Sequence, residues 1–395
     1  MGVTLRGGRI IDGRGGAPIE SGAVSFEEGR LTYVGPMDGA PGSGDVVDVS
    51  GKTVLPGLFN SHAHLAWDGV EDIRVQSEND STPMATFKMA VNLEKSLQGG
   101  VTTTRDLGVH RLNLEAKKAV ERGILPGPRV IASGAAVAMT GGHTWWCCRE
   151  ADGVADVRKA VREQIKSGAD VIKVMASSAT EPEFSVGELE AMAEEAHRAK
   201  VRITAHAFAG PAIHRVVEAG FDSVEHGGPM DDLTIQLMVD KGTFLVTTFS
   251  PVTLQALYGL EHGMSEAHVA RRNREMRDER RYASIAKAAR AGVRICMGTD
   301  AGSPLVPHNE ITTELKMLIE YGVCQTPMET IVCATYHAAQ LCGVEDQWGT
   351  LVAGLQADVI VVDGNPLEDL DCMRQVQRVY VHGDEQPIRR QGALS

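Results

Sequence analysis

Between residues 57 and 299 the chain alternates short apolar runs with stretches of helical periodicity, and this alternation narrows the possible folds more than any other feature. Candidate strands are Gly57–His64, Val101–Asp106, Arg129–Ser133, Asp170–Met175, Arg202–His206, Ser223–His226, Thr243–Thr248 and Val293–Thr299. One intervening pattern, Val154, Val157, Val161 and Ile165, spaces its apolar residues by 3, 4 and 4, as a helix with one buried face does. Eight βα units in somewhat under 300 residues suit an α/β fold of the (β/α)8 TIM-barrel type. Such barrels usually run to about 250 residues plus insertions. Their active sites gather at the C-terminal ends of the strands, so residues with useful chemistry should fall there.

The flanks read differently. Val3–Arg6, Arg9–Asp12, Gly22–Phe26 and Arg30–Val34 are short strands punctuated by Gly, Pro and Asp. The same texture returns in Ala357–Asp363, with the turn Gly364-Asn365-Pro366 after it, and in Gln377–Val381. Two β-rich ends around a different middle should meet in one small composite β-sandwich domain. The expected organisation is residues 1–56 and 349–395 in that domain and residues 57–348 in the barrel.

With 395 residues, 43% hydrophobic and 23% charged, the chain can bury a large core. A formal net charge of -13 argues against nucleic acid as a partner, because phosphates would be repelled. No charged n-region with an apolar h-region opens the chain, and no run approaches the roughly 18 apolar residues of a membrane span. Seven cysteines without a CxxC pair do not make a disulfide framework. A soluble, cytoplasmic protein acting on a small molecule, without a membrane partner and forming a homo-oligomer, is the expectation.

The strand ends carry the chemistry. His62 and His64 flank Ala63 at the end of the first run, and strand alternation points both imidazoles to one side. They lie about 7 Å apart along the strand, close enough to converge on one divalent ion. Lys173 sits inside the apolar run Val171-Ile172-Lys173-Val174-Met175. The next run ends at His206, the sixth at His226 and the eighth at Asp300. Singly, each is better explained as a satisfied polar group, and Lys173 as the partner of a carboxylate. Chance is a poor account of all six at strand mouths.

This set resembles the amidohydrolase superfamily in its binuclear subtype. The resemblance extends over nearly the whole chain, including the Ala-Asp-Val-Ile-Val-Val-Asp-Gly-Asn-Pro-Leu-Glu-Asp end. It implies that Lys173 is carboxylated by CO2 and that its carbamate bridges two divalent metal ions. An ammonium cannot sit beside two cations, whereas a carbamate adds negative charge and two hard oxygen ligands. It further implies His62, His64 and Asp300 on the first ion, His206 and His226 on the second, and zinc as the metal. A hydroxide between the ions would be the nucleophile, and Asp300 would relay its proton to the leaving amine.

Within the superfamily, deaminases carry a glutamate shortly after the fifth-strand histidine. Here Ala207-Phe208-Ala209-Gly210 follows His206, so deamination is disfavoured, and Lys173 favours hydrolysis of an amide, carbamate or urea. The segments Thr102–Gly108, Met139–His143 and Ala169–Lys173 look like the Xaa-Pro/Xaa-Arg dipeptidase branch, which is prolidase-like and imidazolonepropionase-related. The expected substrate is a small N-acyl amino acid or dipeptide, with an aromatic carbamate, urea or anilide as the alternative. His143 would contact the scissile group or stabilise the oxyanion; capping a turn is its plainer role. Trp145 and Trp146, just after it, point either to an apolar substrate pocket or to packing or a subunit contact. The branch's tyrosine after the seventh strand is missing near Phe249, Tyr258 being the closest. His308 lies near the mouth and is open to substrate contact, while His337 and the adjacent thiols Cys147 and Cys148 read as structural.

Overall fold

The computed structural model describes residues 2–41, 44–178 and 180–388. Its core is a ring of eight parallel strands: Leu58–Ala63, Val101–Asp106, Arg129–Ala132, Val171–Met175, Arg202–Ala207, Ser223–His226, Phe244–Thr247 and Ile295–Met297. Every barrel strand expected from the sequence is present, with ends shifted by at most two residues at each side; in the flank, the expected Val3–Arg6 and Arg9–Asp12 form one continuous strand, Val3–Ile10. Two seams close the ring. The Asp170 N–H donates to Ala132 O at 2.8 Å, joining the third strand to the fourth, and the His64 N–H donates to Ala301 O at 2.8 Å, joining the first to the eighth. Nearly all strand residues are buried, because side chains fill the inside of the ring and helices cover the outside.

Helix ends follow local chemistry. The helix Gly153–Ser167 stops at Gly168, whose φ of 98° ends the helix in the left-handed region that glycine enters without steric cost. Its buried stripe is Val157, Ala160, Val161 and Gln164. Val154 was expected on this face but is 48% exposed, because the contact with the barrel wall begins one turn later at Val157. Among the described residues no helix is long and apolar enough to cross a membrane.

Both chain ends join one eight-stranded mixed sheet. Lys52–Pro56 runs antiparallel to Val359–Asp363, and residues from both ends, including Leu5, Phe26, Val54, Val359 and Tyr380, share one apolar cluster. Arg129, on the third barrel strand, ion-pairs with Asp358 and lies 4.3 Å from the centre of the Trp348 ring, which ties this sheet to the barrel. Gly57 is the single residue between Lys52–Pro56 and the first barrel strand. A Cβ there would stand 2.1 Å from Thr102 Oγ1, so only glycine fits.

Gly57→Ala should therefore cost about 1–3 kcal/mol and lower Tm by a few degrees. Thermal melting beside the wild type checks this; an unchanged Tm would show that the junction relaxes freely.

Candidate metal centre

The first, fifth, sixth and eighth strands deliver their polar residues to one end of the ring. Register makes this possible: Met175 is paired with His206, and Ala207 with His226. Inside the barrel, His62 Nδ1 lies 2.7 Å from Glu225 Oε2. Glu225 also accepts from Arg105 Nη1 at 2.8 Å and from the Thr204 hydroxyl. Burial would raise the Glu225 carboxyl, but Arg105 and then His62 outweigh it and hold it well below the usual carboxylate range. It is therefore an anion that accepts the His62 Nδ1 proton, and the Nε2 lone pair is free. The same logic applies to His64, whose Nδ1 donates to the Gly108 carbonyl at 2.9 Å. Each ring has one nitrogen engaged and the other presented, the arrangement that prepares an imidazole for metal ligation.

His62 Nε2 and His64 Nε2 stand 3.6 and 3.2 Å from Asp300 Oδ1. One ligand atom from each of these three residues lies within 4.8 Å of the others, so the group could hold a metal ion. His206 and His226 form an adjoining pair, Nδ1 to Nε2 at 2.8 Å, while His226 Nδ1 is 2.6 Å from Thr248 Oγ1. The His62 and His226 rings are 4.7 Å apart, so the two groups are contiguous. Burial holds His206 and His226 well below the ordinary imidazole range, which keeps both neutral. Lys173 is 1% exposed and its Nζ has no hydrogen-bond partner among the described residues. Burial pushes its pKa down to about 8.

Two of these residues hold unusual backbones. His226 has φ of 71° and Asp300 of 55°, in the left-handed region that non-glycine residues rarely occupy. For His226 the consequence is direct. Along a regular strand Glu225 and His226 would face opposite sides, whereas here Glu225 reaches into the barrel and His226 into the mouth.

Above these groups opens a cavity of about 440 Å3. His143 lines it, its ring stacked on His206 at 4.2 Å and its backbone N–H donating to both oxygens of Glu183 at 2.9 Å. Trp145 and Trp146 are not among the lining residues. The short turn Trp145–Cys147 carries Trp145 out to 41% exposure beneath Arg74, and Trp146 against Trp67 at 5.8 Å. The aromatic wall is made instead by Trp67 and Phe208. Phe208 was legible in principle, since it continues the alternation of His206 by two residues. Arg271, Arg272, Glu275 and Arg281 also line the cavity, from helices between the seventh and eighth strands that no strand-end rule points to. His308 is buried and its Nε2 donates to Trp67 O at 2.9 Å, so it positions the wall without lining the cavity. His337 is bonded to Ile295 O and is structural, as expected.

Two measurements test this geometry. Glu225→Gln removes the only carboxylate within ion-pairing distance of buried Arg105 among the described residues. It should cost about 3–5 kcal/mol of stability and weaken divalent-metal affinity about 10–100-fold, read by melting and metal titration. The second concerns pH. Burial, helped by Lys173, holds His62 down to about 4, and burial holds His308 there too. The unfolded chain binds protons at these sites below about pH 6.5 while the folded chain refuses them until about 4. Their contribution is therefore fully present above 6.5 and is lost as pH falls, each imidazole costing about 2 kcal/mol by pH 5. The Tm of metal-free protein should fall from pH 7 to 5; a flat profile would show these imidazoles already able to take up protons in the folded chain.

Comparison with known proteins agrees with the geometry. The amidohydrolase family profile matches residues 53–385. Ochratoxinase of Aspergillus niger is 30% identical over 410 aligned residues, covering 94% of this chain and 83% of that protein. A crystal structure of a prolidase complexed with N-methylphosphonate-L-proline superposes with a TM-score of 0.87 at 29% identity, covering 98% of this chain and 99% of that one. A Xaa-Pro dipeptidase with methionine bound in its active site superposes with a TM-score of 0.87 at 26% identity, with the same coverage. The resemblance read from the strand-end residues is borne out, and the chain belongs to the amidohydrolase family.

Proposed function

We propose that this protein is a two-metal hydrolase that cleaves the C–N amide bond of a small N-acyl amino acid or dipeptide. The observation that carries the reading is Lys173: a buried amine without a hydrogen-bond partner among the described residues, set among His62, His206, His226 and Asp300. A partnerless buried ammonium is costly, whereas a neutral amine can add CO2 and release a proton, giving a carbamate whose negative charge and two oxygens would suit divalent cations. The donor set fits such a centre. His62, His64 and Asp300 would hold one ion, His206 and His226 the other, with the Lys173 carbamate between. The imidazole-rich ligation suits zinc. The names of the prolidase, dipeptidase and ochratoxinase relatives support an amide substrate.

When bound, the ions supply Lewis-acid polarisation of the scissile carbonyl and lower the pKa of water. The chain's own residues do the rest. Asp300 is held well below the usual carboxylate range because His62 and His64 outweigh its burial, so it is ionised and its Oδ atoms can take the proton of the attacking water. The same carboxyl then delivers that proton to the leaving nitrogen. Burial and the neighbouring Lys173 keep the His143 imidazole neutral, and one of its nitrogens carries a proton for the developing oxyanion. Its loop is held by Glu183 through the His143 backbone. Trp145 and Trp146 act on the substrate at most through Trp67, which Trp146 supports. The seven cysteines are free thiols, which supports a reducing, cytoplasmic setting.

Lys173→Ala should lose most of its bound metal and at least about 100-fold in kcat/KM, measured by elemental analysis and turnover. Full metal and full activity in that variant would falsify the carbamate bridge. A panel of N-acyl amino acids and dipeptides beside N-aryl carbamates and ureas decides the substrate. Turnover of the carbamates alone would replace the amide reading with the alternative.

A further inference from the structure

Arg281 stands in the first turn of the helix Glu279–Ala291 and lines the cavity above the metal-ligand residues. It is 6% exposed. Its Nε donates to Gly227 O at 3.2 Å and its Nη2 to His226 O at 3.3 Å. Its Nη1 makes no hydrogen bond, and no carboxylate lies within ion-pair distance, among the described residues. The other arginines at the site differ. Arg105 is paired with Glu225 at 2.8 Å, Arg272 with Glu275 at 2.5 Å, and Arg271 approaches Glu275 at 3.8 Å. A guanidinium is rarely buried without an anion, because backbone carbonyls and aromatic rings only partly offset its lost hydration. Here the rings are Phe208, Tyr282 and Phe249, 5.0, 5.5 and 6.0 Å from the guanidinium carbon.

The location says which anion is wanted. Phe208 stacks on His226 with ring centres 4.7 Å apart, so the guanidinium lies one ring away from a candidate metal ligand. In an N-acyl α-amino acid, three covalent bonds separate the scissile carbonyl carbon from the carboxylate carbon. A carboxylate that close to the reacting bond falls within reach of a fork that is already oriented by two backbone carbonyls. A guanidinium does not release its proton in this pH range, so its role is recognition rather than acid–base work.

We propose that Arg281 is the anchor for the substrate's free α-carboxylate, so that the site selects N-acyl α-amino acids and dipeptides and discriminates against their carboxamides and against neutral carbamates and ureas. This rests on the amide-hydrolase reading and adds the charge requirement to it. The carboxylate would complete the guanidinium's pairing only when substrate is bound, which makes binding specific for the acid.

The test compares, with metal-loaded wild-type enzyme, the best N-acyl amino acid of the panel and its carboxamide. The expected kcat/KM ratio, acid over carboxamide, is about 100-fold, expressed mainly in KM. In Arg281→Met the ratio should collapse to within about threefold of unity, and Arg281→Lys should restore part of it. A brace for the His226 carbonyl alone would instead lower both substrates alike and leave the ratio intact, which would overturn the proposal. Wild-type enzyme that cleaves acid and carboxamide equally overturns the anchor and leaves amide hydrolysis standing. This comparison does not depend on any variant folding. Metal-loaded enzyme that cleaves neither, but cleaves neutral carbamates, overturns both.

Discussion

A single buried carboxylate organises the centre of this molecule. Glu225 sits inside the barrel with no exposure, holding Arg105 of the second strand, Thr204 of the fifth and His62 of the first. Burying a carboxylate and a guanidinium in an apolar ring is costly, and their mutual attraction with full hydrogen bonding offsets that cost. The pair links strands on opposite sides of the barrel. It also sets which nitrogen of His62 is free, so the stability of the core and the readiness of the candidate ligand depend on the same ion pair. The partner of Arg105 lies across the barrel, on the sixth strand.

Order at the strand ends comes at a local cost. His226 and Asp300 both adopt positive φ, a conformation that disfavours side chains bearing a Cβ by about 1–3 kcal/mol each. The return is geometric: Glu225 and His226, adjacent in the chain, serve the core and the mouth at once. Asp106 steadies the neighbouring loop by accepting from the N–H groups of Leu65 and Gly108 and from Asn113. The same loop offers the Gly108 carbonyl to His64. His62 and His64 are thus fixed by groups that do not themselves reach the cavity.

The cavity divides its labour by element. Strand ends supply the groups suited to chemistry, while Trp67, Phe208 and the helices between the seventh and eighth strands supply shape and charge. The candidate ligands and the cavity wall therefore come from different parts of the fold. This separation fits a barrel whose catalytic frame is rigid and whose connecting segments are free to vary.

The strand-end histidines, Lys173 and Asp300 were legible in the sequence because each follows from local order: a strand period of two, an apolar run, and a polar residue at its end. The barrel was legible for the same reason, since eight alternating units leave few other closures. The union of both chain ends was suggested by texture alone, and the pairing of Lys52–Pro56 with Val359–Asp363 supplies its register. What local order could not decide was which non-local partners meet. Trp145 and Trp146 turn away from the cavity because Thr144 has φ of 51° and redirects the chain, which composition does not reveal. Glu225 meets Arg105 across 120 residues, and Arg281 meets Phe208 from a helix that follows the seventh strand. Residue identity and spacing determined the donor set; only closure of the ring decided who faces whom, because contacts between distant segments exist only once the backbone has brought them together.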